Sequence, residues 1–211
     1  LTNIFEYDNY YQDFLDQNGV DLNKAFELSG PTKLSLNTQK LLKIFSNSEH
    51  KQNKFYKARP FHPQESMFQA VCLSNLGYNE HNTSETNIGL DPNDNLELKS
   101  AIGLSNFNLM KLDMHSSLAR LLEYKPGTGI PLHTDSFTAF REKYGSDKKI
   151  KRYFVAISKW DWGHFLQIHD NVITHWSVGD AYEIPEGVYH LSVNFGIKPK
   201  HTLTITGFSN E

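Results

Sequence analysis

Apolar positions in the first hundred residues recur at helical spacing, whereas those of the last hundred alternate. Phe5, Tyr10, Tyr11, Phe14 and Leu15, then Val20, Leu22, Ala25 and Phe26, predict one or two short amphipathic helices. Asn18-Gly19 would break them and Gly30-Pro31 would close them. Leu36–Phe45 predicts a stronger helix with Asn37 as its N-cap. Asn47–Lys54 is polar and reads as loop, Pro63–Leu73 as a further helix, and Asn79–Asn95 as a long exposed loop rich in Asn, Asp, Thr and Gly. From about residue 106 the period becomes two, with Leu109, Leu112 and Met114 leading into it. Strands are predicted at Ala119–Tyr124, Arg152–Ser158, Phe165–His169, Val172–Trp176, Ala181–Ile184, His190–Phe195 and His201–Phe208. Pro126-Gly127, Asp170-Asn171, Val178-Gly179-Asp180, Pro185-Glu186-Gly187 and Gly196–Pro199 supply the turns. Short strands joined by tight turns mean a β-sandwich or barrel. The expected class is mainly β with flanking α, in one domain over 1–211. Residues 1–105 form a helical and loop flank, and 106–208 a β core.

A chain of 211 residues buries a sizeable core without staples. Its net charge of −3 provides no basic field, which disfavours nucleic acid as a partner. The one local basic run, Lys148–Arg152, reads as a solvated loop edge. A single cysteine, Cys72, rules out an intramolecular disulfide and fits a reducing compartment. No apolar run approaches the length of a membrane span, and no signal-peptide pattern is present. A cytoplasmic location without membrane attachment is expected; oligomeric state is left open.

The chemistry concentrates in Pro131–Gly207, beginning with His133-Thr134-Asp135. On a strand, side chains two apart share a face, so an imidazole and a carboxylate would be presented together. His190 offers a third ligand from the far end. Two histidines and one carboxylate with open positions form the facial triad of non-haem iron(II) oxygenases, although three protein ligands also suit catalytic zinc. Each residue has a plainer reading: Asp135 as a helix cap, His190 as a core histidine, Lys200 as a surface lysine, Tyr124 as a core aromatic. His164, His169, His175 and His201 read as surface or strand-edge residues, and Trp160 and Trp162 as barrel-end packing. His115, Arg120 and Arg152 are candidates for substrate or co-substrate contacts.

The series Gly179-x5-Pro185-x-Gly187-x2-His190-x3-Asn194 resembles the second motif of the cupin superfamily at every defined position. Gly127-x5-His133-x-Asp135 resembles the first, with Asp in place of the usual second His and without the downstream Glu. Lys200 follows His190 by ten residues, and Lys200-His201-Thr202 is similar to the basic-x-Ser/Thr pattern of 2-oxoglutarate-dependent oxygenases. Tyr124-Lys125-Pro126-Gly127 looks like the first strand and loop of their prolyl-hydroxylase-like branch. Trp162–Ile168 resembles that branch's Gly-Gly-x-Leu-x-Ile strand, with His164 replacing the second Gly.

The resemblance covers roughly 120–208 and implies a double-stranded β-helix, a jelly-roll core with the N-terminal helices packed outside. It implies iron(II) held by His133, Asp135 and His190. The co-substrate 2-oxoglutarate would chelate that iron, with its far carboxylate on Lys200 and Thr202 beside Tyr124. Dioxygen would take the remaining position. The implied activity is hydroxylation of an unactivated C–H bond, first of a prolyl residue in a peptide or protein. A free amino acid, another small metabolite or an Asp or Asn residue is the alternative. From other classes, a cupin-type metal- or sugar-binding protein fits the distal motif, as does a cupin dioxygenase or isomerase without 2-oxoglutarate; neither needs Asp135 and Lys200 together.

Overall fold

The computed structural model describes residues 27–48, 51–54, 84–90, 96–102, 111–135, 137, 140–141 and 148–210. The expected helices over 1–26 and Pro63–Leu73 lie outside these. In chain order the elements are β1 (Thr32–Lys33), α1 (Thr38–Asn47), β2 (Lys51–Lys54), β3 (Ser84–Leu90), α2 (Leu96–Ile102), β4 (Met114–Tyr124) and β5 (Thr128–His133). There follow β6 (Ile150–Ala156), β7 (His164–Ile168), β8 (Asn171–Ile173), β9 (Asp180–Glu183), β10 (His190–Asn194) and β11 (Lys200–Ser209).

These strands form two antiparallel sheets ordered β1-β9-β6-β11-β4-β3-β2 and β5-β10-β7-β8. From β4 onward consecutive strands cross from one sheet to the other, apart from the tight β7–β8 hairpin. This winding is a double-stranded β-helix. The described residues are mostly β with few helices, as the alternation predicts.

Burial explains which residues face where. Tyr153 and Val155 of β6, and Leu203 and Ile205 of β11, pack outward against Leu41, Ile44 and Phe45 of α1 and Leu98, Ala101 and Ile102 of α2. Phe154 and Ala156 of β6 point the other way, into the space between the sheets, with Leu166, Ile168, Trp176 and Tyr182. The seven-stranded sheet is therefore covered on both faces at its centre. That is why β6 is buried along almost its whole length, and its second half, Tyr153–Ala156, is apolar without alternation. The four-stranded sheet buries one face only: β7 and β10 alternate buried and half-buried along their length. Leu191 and Val193 sit on the outer side, while His190, Ser192 and Asn194 point in.

Asn37 caps α1 as expected, its side chain accepting from the Lys40 amide at 3.0 Å. Two loop expectations are corrected. Lys51–Lys54 and Ser84–Leu90 are strands, paired with each other and, through β3, with β4. Thr86, Ile88 and Leu90 carry a period of two among the Asn and Gly residues that suggested loop. Ladder pairing to β4 outweighs the weak propensity of such a segment. Helix α2 carries no strong signal of its own; it is short, and its apolar residues are fixed by contact with α1 and the sheet. Among the described residues no helix is long and apolar enough to cross a membrane.

The turn at Gly163 and the turn at Gly196 meet in backbone contact. Gly163 adopts φ +84°, and a Cβ there would run into the backbone of Gly196. The Phe195 amide donates to Gly163 O at 2.8 Å across the same contact. Gly163→Ala should therefore destabilise the protein by about 2–3 kcal/mol, from left-handed strain and forced separation of the turns. Denaturant unfolding checks this, and an unchanged midpoint would mean that the turns do not abut.

Candidate metal centre

The pairing of β10 with β5 sets His190 directly opposite His133. Opposed residues of antiparallel strands carry their Cβ atoms about 4.5–5.5 Å apart, and the two imidazoles follow with ring centroids at 4.3 Å. Both histidines are buried. Nδ1 of His190 donates to Val188 O at 3.0 Å. That bond fixes the tautomer and leaves the Nε2 lone pair facing the site.

Asp135 completes the group, though not as strand geometry predicts. β5 ends at His133, and Asp135 lies two residues beyond it, outside the described strands. Its Oδ1 stands 3.7 Å from His133 Nε2, and Oδ2 stands 3.3 Å from His190 Nε2. One donor atom from each residue can be chosen so that all three lie within 4.8 Å of one another. Donors sharing one ion at bonds of about 2.0–2.2 Å stand roughly 3 Å apart, so little movement separates this arrangement from ligation. Asp135 Oδ2 is buried and accepts no hydrogen bond of proper geometry, although the Arg152 guanidinium lies against it in an ion pair. Burial opposes ionisation of Asp135. Arg152, and after it His190, nevertheless hold its carboxyl well below the usual range. Two imidazole nitrogens and an anionic oxygen converge here on one point, a donor set that suits a divalent transition metal.

A second polar centre lies deeper in the β-helix. Lys200 opens β11 opposite Tyr124, the last residue of β4, and no part of its side chain is exposed. Its ammonium donates to Phe165 O at 2.6 Å, Ser192 Oγ at 2.8 Å and Val193 O at 3.2 Å. The rings of Tyr124, Trp176 and Phe154 surround it with centroids at 4.8, 5.3 and 5.5 Å. Among the described residues no carboxylate pairs with it, and burial drives its pKa well below the ordinary lysine value. Thr202, two residues on and on the same face, is buried with Oγ1 unpaired among the described residues. Ser192 ties the two centres together. It follows His190 by two positions on one strand, a step of about 6.6 Å at ordinary strand rise.

The six residues to which the resemblance assigns iron or the co-substrate thus fall on two adjoining centres: His133, Asp135 and His190 in one, and Lys200, Thr202 and Tyr124 in the other. Ser192 was missed, although its place two residues after His190 on an alternating strand marks it as inward-facing. Arg152 carried a different expected role, and its approach to Asp135 depends on long-range pairing that no local pattern announces. Lys148 and Lys149 of the basic run are exposed as expected, but Lys151 is buried against Asp113 and Arg152 points inward. His164 is not a surface residue; it is 1% exposed, its Nε2 donates to Lys198 O at 3.1 Å, and burial lowers its pKa. Trp162 is largely exposed rather than packed into the barrel end.

No protein-family model matches the chain, and no curated protein matches it either. Solved structures do resemble it. A prolyl-4-hydroxylase from Pseudomonas putida is 11% identical at a TM-score of 0.46, over 81% of this chain and 98% of that one. A cupin protein from Bacteroides fragilis is 12% identical at a TM-score of 0.36, over 59% and 78%. A predicted oxalate decarboxylase from Thermotoga maritima is 10% identical at a TM-score of 0.35, over 59% and 81%.

If the triad is a metal centre, Asp135→Asn should weaken cobalt(II) binding by more than about 100-fold. Outer-shell partners alone are commonly worth 10–100-fold, and this change removes the anionic ligand itself. Titration of the cobalt ligand-field bands measures it; wild-type affinity in the variant would remove Asp135 from the ligand set.

Proposed function

We propose that this protein is an iron(II)- and 2-oxoglutarate-dependent oxygenase that hydroxylates an unactivated C–H bond. The observation that carries the reading is the fully buried Lys200, without a carboxylate partner among the described residues and bonded to Ser192, which follows His190 by two residues; Thr202, two residues after Lys200, is buried with its hydroxyl unpaired among the described residues. Burying an ammonium among three aromatic rings costs several kcal/mol in lost hydration. A site for a ligand carboxylate accounts for the buried cation and the unpaired hydroxyl of Thr202 together.

On this reading His133, Asp135 and His190 hold iron(II). When bound, iron(II) with 2-oxoglutarate and dioxygen supplies the oxidising power for hydroxylation, with loss of carbon dioxide and formation of succinate. The chain's own residues do the rest. Lys200 and Thr202 take the co-substrate's far carboxylate and so set its orientation toward the triad. Tyr124, Phe154 and Trp176 wall the pocket and exclude water, which strengthens the ion pair formed there. The Val188 carbonyl keeps the His190 proton on Nδ1. A prolyl residue in a peptide or protein is the first candidate substrate, from the likeness of the Tyr124–Asp135 stretch and the choice of Lys at position 200.

Anaerobic titration of the iron(II)-loaded protein with 2-oxoglutarate, following the weak visible band of the chelate, tests the assignment. Lys200→Met should cost about 3–5 kcal/mol of co-substrate binding, as expected when a buried charge loses its partner, or two to three and a half orders of magnitude in affinity. A band that saturates equally in the variant excludes Lys200. No band in an iron-loaded wild type would favour a cupin that does not use 2-oxoglutarate.

A pH dependence follows from the same burial. Only the charged form of Lys200 pairs with a carboxylate, and burial lowers the pH at which that charge is lost. Affinity for 2-oxoglutarate should therefore fall as pH rises above the amine's pKa in the free protein, by up to about tenfold per unit. The slope should vanish in Lys200→Met. A flat wild-type profile from neutral to alkaline pH would mean that no proton is taken up at Lys200.

A further inference from the structure

Asp135 sits past the end of β5, where no ladder holds it, yet a facial triad needs its carboxylate fixed to within a fraction of an ångström. Arg152 is placed to do this. Its backbone is locked in the middle of the seven-stranded sheet, in register with Thr206 of β11, and its carbonyl accepts from the Ile184 amide at 2.8 Å. Its side chain is braced twice more, by Nε donating to Thr206 Oγ1 at 3.0 Å and by the Phe137 ring at 4.8 Å from the guanidinium carbon. From that fixed base Nη1 reaches Oδ2 of Asp135.

We infer that Arg152 is a positioning residue for the carboxylate ligand, engaging Oδ2 so that Asp135 meets the metal through one oxygen only. This rests on the assignment of His133, Asp135 and His190 as the metal's ligands. The consequence lies in the coordination count. An octahedral ion with three protein donors keeps three positions, enough for a two-point chelate and one more ligand. A carboxylate binding through both oxygens would take one of the three. Arg152 thus keeps the site open from the protein side. Its position on a core strand transmits the order of the sheet to a residue that has none of its own.

Cobalt(II) titration of wild type, Arg152→Met, Arg152→Lys and Thr206→Val tests this without turnover. Electrostatics alone predicts that removing a guanidinium beside a dication's seat tightens binding. Positioning predicts the reverse. Arg152→Met should bind cobalt 10–100-fold more weakly, in the range for outer-shell partners. Its ligand-field spectrum should also change, and the spectral response to 2-oxoglutarate should shrink. Arg152→Lys should recover part of the affinity. Equal or tighter cobalt binding by Arg152→Met, with an unaltered spectrum, overturns the proposal. Should Arg152→Met not fold, judged by circular dichroism, Thr206→Val decides: it removes only the brace on Nε, so a smaller loss in the same direction supports positioning and no loss refutes it. Failure of the wild type to bind cobalt at all would instead overturn the triad, and this proposal with it.

Discussion

An ammonium with no exposed surface dictates the construction around it. Lys200 must be hydrogen-bonded on all three donors, and the acceptors come from β7 and β10 of the opposite sheet. The two sheets are therefore joined through the middle of the molecule by polar bonds as well as by Leu166, Phe154 and their neighbours. Removing any one partner would leave a buried polar group unsatisfied, so the register of β7, β10 and β11 is tied to this one side chain. The same register sets His190 opposite His133.

Covering the seven-stranded sheet with α1 and α2 is what makes this interior affordable in structural terms. Leu203 and Ile205 contribute their burial to the outer layer, which frees the inner face of β11 to carry Lys200, Thr202, Thr204 and Thr206. A strand in a sheet covered on one side only would have had to spend that inner face on apolar residues. The polar lining of the β-helix and the helical layer outside it are two parts of one arrangement.

Much of this was legible in the chain. The alternation expected from about residue 106, whose described strands begin at Met114, the glycines at the turns and the capping Asn37 are local features. The proximity of His133 to His190, and of Lys200 to Tyr124, was reached through spaced motifs, because their partners lie tens of residues apart. Features that arise only from packing were lost. β2 and β3 became strands by pairing along the edge at β4, against a composition suited to loops. His164 was buried by the turn that Gly163 and Gly196 close. Asp135 left the strand on which its spacing placed it. Arg152 met it by a route that runs through β6, β11 and Thr206, which no window on the sequence spans.

Ser192 has a geometric meaning beyond its bond to Lys200. His190 and Ser192 stand two residues apart on β10, about 6.6 Å at ordinary strand rise, and their pairing with β7 is regular across that step. On the proposed reading, that pitch acts as a ruler for the chain length of the acid admitted. A two-carbon diacid would grip the metal and fall short of the ammonium. One lengthened by a methylene would overrun the ammonium, and the next inward residue of the strand, Asn194, is fully buried and bonded to Tyr124 O and Lys198 O. Selectivity for size would then reside in the spacing of the backbone, where side-chain substitution reaches it least.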